Sequence, residues 1–382
     1  MHFLLRLLHA LVFFALLMPC SHPAAHAAAA DDDPPESPQV HADHRVTFRL
    51  DAPRADSVKL RGITRAQLDM KRGKRGVWSV TVEPLKPGLY EYSFVVDGEP
   101  ILDPSNRQIK PEQNPDSSLL EIPSNSPLFY QWRDVPHGAV HIHDYFSAPL
   151  KRVRAMRVYT PPGYDESAGR RFPVLYLLHG TGDTEATWTE FGRAHYIIDN
   201  LLSENKCVPM LLVMLDGHAD LQEEEGIHRA NLEKFDADLI QSAVPFVDKT
   251  YRTVATADGR AICGLSMGGF QSLYTGMNHP DQFAWLGAMS AFLPDAAKLC
   301  APAFADPKFL NDHLRIFWHS IGKDDYLFKE YAKFDKLLEK HGILRDFHIT
   351  AGEHSWTVWR QYLADFAPLL FRETKQERHA GG

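Results

Sequence analysis

Cysteine is scarce in this chain, with 4 among 382 residues. Cys20 lies in an apolar N-terminal stretch, which leaves Cys207, Cys263 and Cys300 for the remainder. Three thiols do not make a disulfide framework. Cys207 and Cys300 could pair, but their spacing does not decide it. Cys263 follows Ala261 and Ile262 and reads as a small buried hydrophobe. Zinc-ligand spacing is missing as well. His141 and His143 alternate along a strand pattern with no partner motif, so no metal is expected. The formal net charge is -8, and the short basic stretch Lys71–Gly76 reads as a turn, which together argue against a nucleic-acid partner. Beyond the N-terminus, no apolar run is long enough to span a bilayer.

The N-terminus has what the rest lacks. Arg6 precedes an apolar run from Leu7 to Met18, and Ala25-His26-Ala27 follows it. A charged start, a short apolar core and a small-residue site read as a secretory signal peptide over residues 1–30. A periplasmic or secreted location is expected, without stable membrane insertion once the signal is cleaved. Residues 31–38 are acidic and proline-rich, which reads as a solvated linker.

From residue 39 to 122, apolar residues alternate with polar ones. Val46, Phe48 and Leu50 do so, then Val58 and Leu60, then Trp78, Val80 and Val82, then Tyr90, Tyr92, Phe94 and Val96. Short period-two runs between Pro/Gly turns predict a small all-β sandwich. Trp78 reads as core rather than as a sugar-stacking platform. Residues 123–137 read as a second linker.

The pattern changes over residues 138–372. Phe172–Leu178 is a continuous apolar run, as a strand covered on both faces requires; Met210–Leu215 reads as another buried strand, and Ala284–Met289, Ile316–Ile321 and Phe347–Thr350 read as further strands. Helical spacing separates them at Ala194–Leu202, Leu232–Tyr251 and Tyr326–His341. Alternating strands and helices predict an α/β doubly wound sheet, with ligands beyond the carboxyl ends of its strands. Residues 373–382 read as a tail.

Three loops at those strand ends carry chemistry-bearing residues. Arg260–Phe270 reads RAICGLSMGGF, a strand, a sharp turn and a helix start, with Ser266 between Gly264 and Gly268. This is the nucleophile-elbow pattern. Gly322-Lys323-Asp324-Asp325 follows one strand, and Gly352-Glu353-His354 follows the next. The order Ser266, Asp325, His354 is that of the α/β hydrolases. The imidazole can take the serine proton, and the carboxylate can hold the ring in its useful tautomer. Asp324 is the alternative acid because it is adjacent. The N–H groups of Met267 and Thr181 are candidates for an oxyanion hole. Trp188, His218 and Trp356 lie in strand-end loops and are candidate substrate contacts. No cofactor is needed.

Residues 138–372 resemble the esterase D-like group of feruloyl, acetyl xylan and enterochelin esterases. The resemblance lies in VLYLLHGTGDTEATW, GRAHYIIDNLL, AICGLSMGGFQSLYTGMNHPDQFAWLGAMSA, IGKDDYL and GEHSWTVWRQYLADFAPLLF. In that group the acid is the fourth residue of a G-x-x-D turn, here Asp325. The preceding block resembles immunoglobulin-like modules of carbohydrate family 48, through VTFRLDAPRADSVKLRG and GVWSVTVEPLKPGLYEYSFVVDG. The α/β-hydrolase fold with such a module implies a secreted serine carbohydrate esterase. Its substrate would be acylated polysaccharide such as xylan, with feruloyl or acetyl groups removed. A siderophore esterase and a non-catalytic carbohydrate binder are the alternatives. The oxyanion loop departs from its relatives by carrying Thr181 and Asp183 in place of a richer glycine run.

Overall fold

A computed structural model of the protein describes residues 36–220 and 229–372. The expected signal peptide, most of the 31–38 linker and the tail lie outside the described residues.

The strands from Gln39 to Ile122 form two facing sheets. One contains β1 (Val46–Asp51) and β3 (Val77–Val82). The other contains β2 (Val58–Arg61), β4 (Gly88–Val96) and β5 (Ser118–Ile122). Pairing within both is antiparallel. Val46, Phe48, Leu50, Val58, Leu60, Tyr92 and Phe94 meet between the sheets, because alternation sends every second side chain to one face. Trp78 joins that core, and its indole N–H donates to the Ala52 carbonyl.

Residues 123–137 are fastened to the second half. Asn200 donates to the Phe129 and Gln131 carbonyls, and the His137 ring meets Asp199 at 2.8 Å.

The second half is built on one sheet of eight strands. They are β6 (Ala139–Ser147), β7 (Arg152–Thr160), β8 (Val174–Leu178), β9 (Leu211–Leu215), β10 (Arg260–Leu265), β11 (Trp285–Met289), β12 (Ile316–Gly322) and β13 (Asp346–Thr350). Their spatial order is β6-β7-β9-β8-β10-β11-β12-β13, with β6 and β7 antiparallel and the remainder parallel. Every residue of β8, β9, β10 and β11 is buried, as expected where helices cover both faces. Those helices are α1 (Ala194–Ser203), α2 (Arg229–Asp238), α3 (Val244–Thr250), α4 (Met267–Asn278), α5 (Phe328–Lys340) and α6 (Trp356–Phe366).

One expectation needs correcting. The helix predicted over Leu232–Tyr251 is not uniform, because a π-turn at Leu239–Ala243 separates α2 from α3. Pro245 follows at the start of α3. A proline inside an α-helix has no N–H and clashes with the carbonyl four residues back. The wider turn ahead of it relieves that clash.

The three thiols are buried and free of disulfides. Burial pushes both Cys207 and Cys300 up to about 12, which leaves them inert.

Candidate active site

Ser266 stands between β10 and α4 with φ 48° and ψ -119°. An L-residue adopts that conformation only when its surroundings dictate it. Here they do. The Ser266 N–H donates to the Met289 carbonyl at 2.9 Å, and the Ser266 carbonyl accepts from Phe270 at 3.0 Å. A Cβ on Gly264 would come within 2.4 Å of the Gly268 backbone, and one on Gly268 within 2.5 Å of the His179 carbonyl oxygen. The two glycines let the elbow close against the end of β8.

The loops after β12 and β13 touch through their backbones. A Cβ on Gly322 would lie 2.2 Å from the Gly352 carbonyl oxygen, and Gly352 has φ +118°. The Asp324 N–H donates to that same carbonyl at 3.0 Å. This crossing turns Asp325 inward and leaves Asp324 exposed, which decides between the adjacent acids. Asp325 Oδ2 is 2.8 Å from His354 Nδ1, while Oδ1 accepts from the Leu327 N–H at 2.9 Å. His354 Nε2 is 3.0 Å from Ser266 Oγ. The ring is flanked by Tyr326 at 4.6 Å and by the edge of Trp359 at 4.8 Å.

This arrangement opens into a cavity of about 350 Å³. Thr181, Asp183, Trp356 and Trp359 line it together with Ser266 and His354. Met267 is the first residue of α4, where a helix leaves N–H groups without an intrahelical acceptor. Carboxylate, imidazole and hydroxyl thus form one hydrogen-bonded relay, whose serine end borders the cavity. Such a set can generate a nucleophile and stabilise an oxyanion.

Two of the expected substrate contacts lie elsewhere. Trp188 is 1% exposed. Its indole donates to the Leu178 carbonyl, and its ring packs on the edge of Trp356 at 4.9 Å, so it backs the cavity wall rather than lining it. His218 is also buried and lines a separate cavity with Arg152, Arg154 and Asp216. The cause is strand order: β9 lies across β8 from β10, so its loop opens on the far side of His179. Trp356 does line the Ser266 cavity, with only 5% of its surface exposed.

Among the lining residues that sequence reasoning did not assign to the site are Trp359, Tyr326, Glu91 and Lys110. Trp359 is three positions after Trp356 on one helix, a spacing that shares a face. Tyr326 directly follows Asp325. Glu91 and Lys110 come from the β-sandwich half, and no local signal marks them.

His179, Asp216 and His218 bring possible ligand atoms within 4.8 Å of one another. His179 cannot serve a metal in this arrangement. Its Nδ1 faces the Gly180 carbonyl at 2.8 Å, and its Nε2 accepts the Gly217 N–H at 2.8 Å. Both ring nitrogens are therefore committed to the backbone.

The fold and the strand-turn-helix site define an α/β hydrolase. The chain belongs to the Esterase family, whose model matches residues 147–370, and residues 37–110 match Carbohydrate-binding module 48 (Isoamylase N-terminal domain). An endo-1,4-beta-xylanase/feruloyl esterase of Xylanibacter ruminicola is 31% identical over 348 residues. That match takes in 88% of this chain, which spans 46% of the relative's length. A solved ferulic acid esterase superposes with TM-score 0.55 at 26% identity, over 61% of this chain and 97% of that one. The enterobactin esterase of Shigella flexneri shares the fold over 86% of this chain and 93% of its own, with TM-score 0.61 at 19% identity.

Proposed function

We propose that this chain is a serine carboxylic-ester hydrolase that removes feruloyl or acetyl groups from plant-wall polysaccharide outside the cytoplasm. The observation that carries the proposal is the relay, with Ser266 Oγ 3.0 Å from His354 Nε2 and His354 Nδ1 2.8 Å from Asp325. Ser266 Oγ attacks the ester carbonyl while His354 Nε2 takes its proton. Asp325 keeps the ring in the Nδ1–H tautomer and balances the imidazolium charge. The Met267 and Thr181 N–H groups receive the oxyanion, and each such donor is worth roughly 3 to 4 kcal/mol. The tetrahedral intermediate collapses, and His354 returns the proton to the leaving sugar alkoxide. Water, deprotonated by His354, then releases the acid from Ser266.

The acyl group and the sugar are supported by the names of the xylanase/feruloyl esterase relative and the ferulic acid esterase structure. The module-48 match adds a carbohydrate context. A ferric-catecholate substrate is anionic and calls for a cationic cleft. The one lysine lining this cavity among the described residues is matched by the carboxylates of Glu91, Glu112 and Asp183.

The test is a panel of methyl ferulate, acetylated xylan, aryl acetates and a catechol trilactone, assayed with the full chain and with Ser266→Ala. The expected outcome is turnover of feruloyl or acetyl esters and a loss of at least about 10⁴-fold in kcat for the variant. Unchanged turnover in Ser266→Ala removes the nucleophile. Turnover of the trilactone alone replaces the substrate class.

A further inference from the structure

The loop after β8, residues Gly180–Asp183, is held from two sides. On the hydrolase side, the His179 carbonyl accepts the Gly268 N–H at 3.0 Å, and Gly180 packs on Leu265 and Ser266. The other side belongs to the β-sandwich half. Glu112 forms an antiparallel bridge with Asp183, and the Gln113 N–H donates to the Gly182 carbonyl at 2.8 Å. The Thr187 hydroxyl donates to the Pro111 carbonyl at 2.5 Å, just beyond the loop.

Lys110 connects the two halves. Its ammonium lies 3.0 Å from Glu91 on β4, 2.8 Å from Glu112 and 3.6 Å from Asp183, and stands 5.4 Å from the Phe191 ring centroid. The Lys110 side chain is 10% exposed and that of Asp183 is 6% exposed. Lys110 is itself rooted in the sandwich, where its N–H donates to the Ser117 carbonyl at 3.0 Å. Burial alone would lower a lysine, but Asp183, Glu91 and Glu112 outweigh it and raise Lys110 above its ordinary value. Burial pushes Asp183 up to about 6 against the pull of Lys110. An acid this deep remains in place only with its cation; without one it protonates or carries its loop toward water. The departure from a glycine run at Asp183 thus has a partner in the other half of the molecule.

We propose that the β-sandwich is a positioning element of the esterase centre: Lys110 and the Pro111–Gln113 strip fix the Thr181–Asp183 loop, and through it the oxyanion donor. This rests on the assignment of Ser266 and Thr181 above. It requires no carbohydrate contact, so the dependence extends to an ester too small to reach any sugar-binding surface. A donor displaced by about 1 Å costs on the order of 10²-fold in rate.

The experiment measures kcat and KM separately on p-nitrophenyl acetate with the full chain and with Lys110→Met, Lys110→Arg, Gln113→Pro and Ser266→Ala. Thermal unfolding is recorded for each. Lys110→Met is expected to lower kcat roughly 10- to 100-fold with KM within about twofold. Lys110→Arg, which keeps the cation, should recover most of that loss. Gln113→Pro removes one N–H of the strip and no charge, and should lower kcat in the same way. A Lys110→Met enzyme that turns over at the wild-type rate overturns the proposal, as does a loss matched by the fraction unfolded. So does a rise in KM at constant kcat, or an arginine variant no better than methionine. Hydrolysis that persists in Ser266→Ala overturns the assignment of the centre and this proposal with it; Ser266-dependent hydrolysis indifferent to Lys110 overturns this proposal alone.

Discussion

The β-sandwich and the hydrolase half use left-handed backbone for different ends. In the sandwich it falls at His44, Arg75 and Asp97, the last beside the turn glycine Gly98, where the chain reverses between strands. In the hydrolase half it also falls at Ser266 and Ser290, directly after the buried strands β10 and β11. A sheet with one wet face, such as β2 with its alternating burial, can place polar groups anywhere along a strand. A sheet covered on both faces has open ground only at its strand ends, so its polar chemistry and its strained residues gather there. One half reads as support and the other as chemistry. Lys110 is where that division fails.

The largest test of the division is Asp325→Asn. The amide oxygen keeps the Leu327 N–H, but the amide nitrogen faces His354 Nδ1 and imposes the wrong tautomer. A fall of roughly 10⁴-fold in kcat is expected with little change in melting temperature. Measuring both in one preparation separates chemistry from support, and retained activity would remove Asp325 from the relay.

Acid should strike the halves unequally. His319 on β12 is fully buried, with its Nε2–H donating to the Ala291 carbonyl at 3.2 Å and Tyr331 stacked at 4.0 Å. Burial depresses it from 6.5 to about 3. The folded ring stays neutral while the unfolded chain takes a proton below pH 6.5. This contribution is therefore complete above pH 6.5 and is lost as pH falls toward 3. The loss is roughly 2 to 3 kcal/mol by pH 4.5. His41 and His44 in the sandwich are only half-buried. Urea titrations at pH 7 and 4.5, with His319→Phe as control, check the slope, and equal slopes in both proteins would contradict it.

The smallest effect is expected at an exposed ion pair between the halves. Arg65 meets Glu353 at 2.9 Å with side chains 95% and 63% exposed. Exposed pairs contribute at most about 1 kcal/mol. Arg65→Ala should leave kcat within about twofold and the urea midpoint nearly unmoved. A large loss would mean that this contact, though neighbouring His354, carries more of the docking than its exposure implies.

The relay was legible in the sequence because each part has a local signature. Gly264-Leu265-Ser266-Met267-Gly268 announces its own turn, and the loops carrying Asp325 and His354 each follow a stretch that reads as a strand. Side-chain direction within a loop has no such signature. Trp188 and His218 were therefore placed at the cleft by position alone, whereas packing on Trp356 and the order of β8 and β9 turn them away. Which of Asp324 and Asp325 faces the imidazole depends on the backbone crossing at Gly322 and Gly352, a contact thirty residues apart in the chain. Glu91 and Lys110 were unreadable for the same reason on a larger scale, since nothing near them in sequence encodes the surface they meet. The interrupted α2–α3 helix was readable in principle, because Pro245 lay inside the helical pattern.

The main-chain crossing of Gly322 and Gly352 also limits how this protein can diverge. Two turns that share a backbone contact form a mortise joint, and adding one residue to either would shear the other. Insertions that retune substrate preference are therefore tolerated most easily where no such joint exists, as at the exposed Thr64–Ala66 tip of the sandwich, tied to the hydrolase rim by an exposed ion pair.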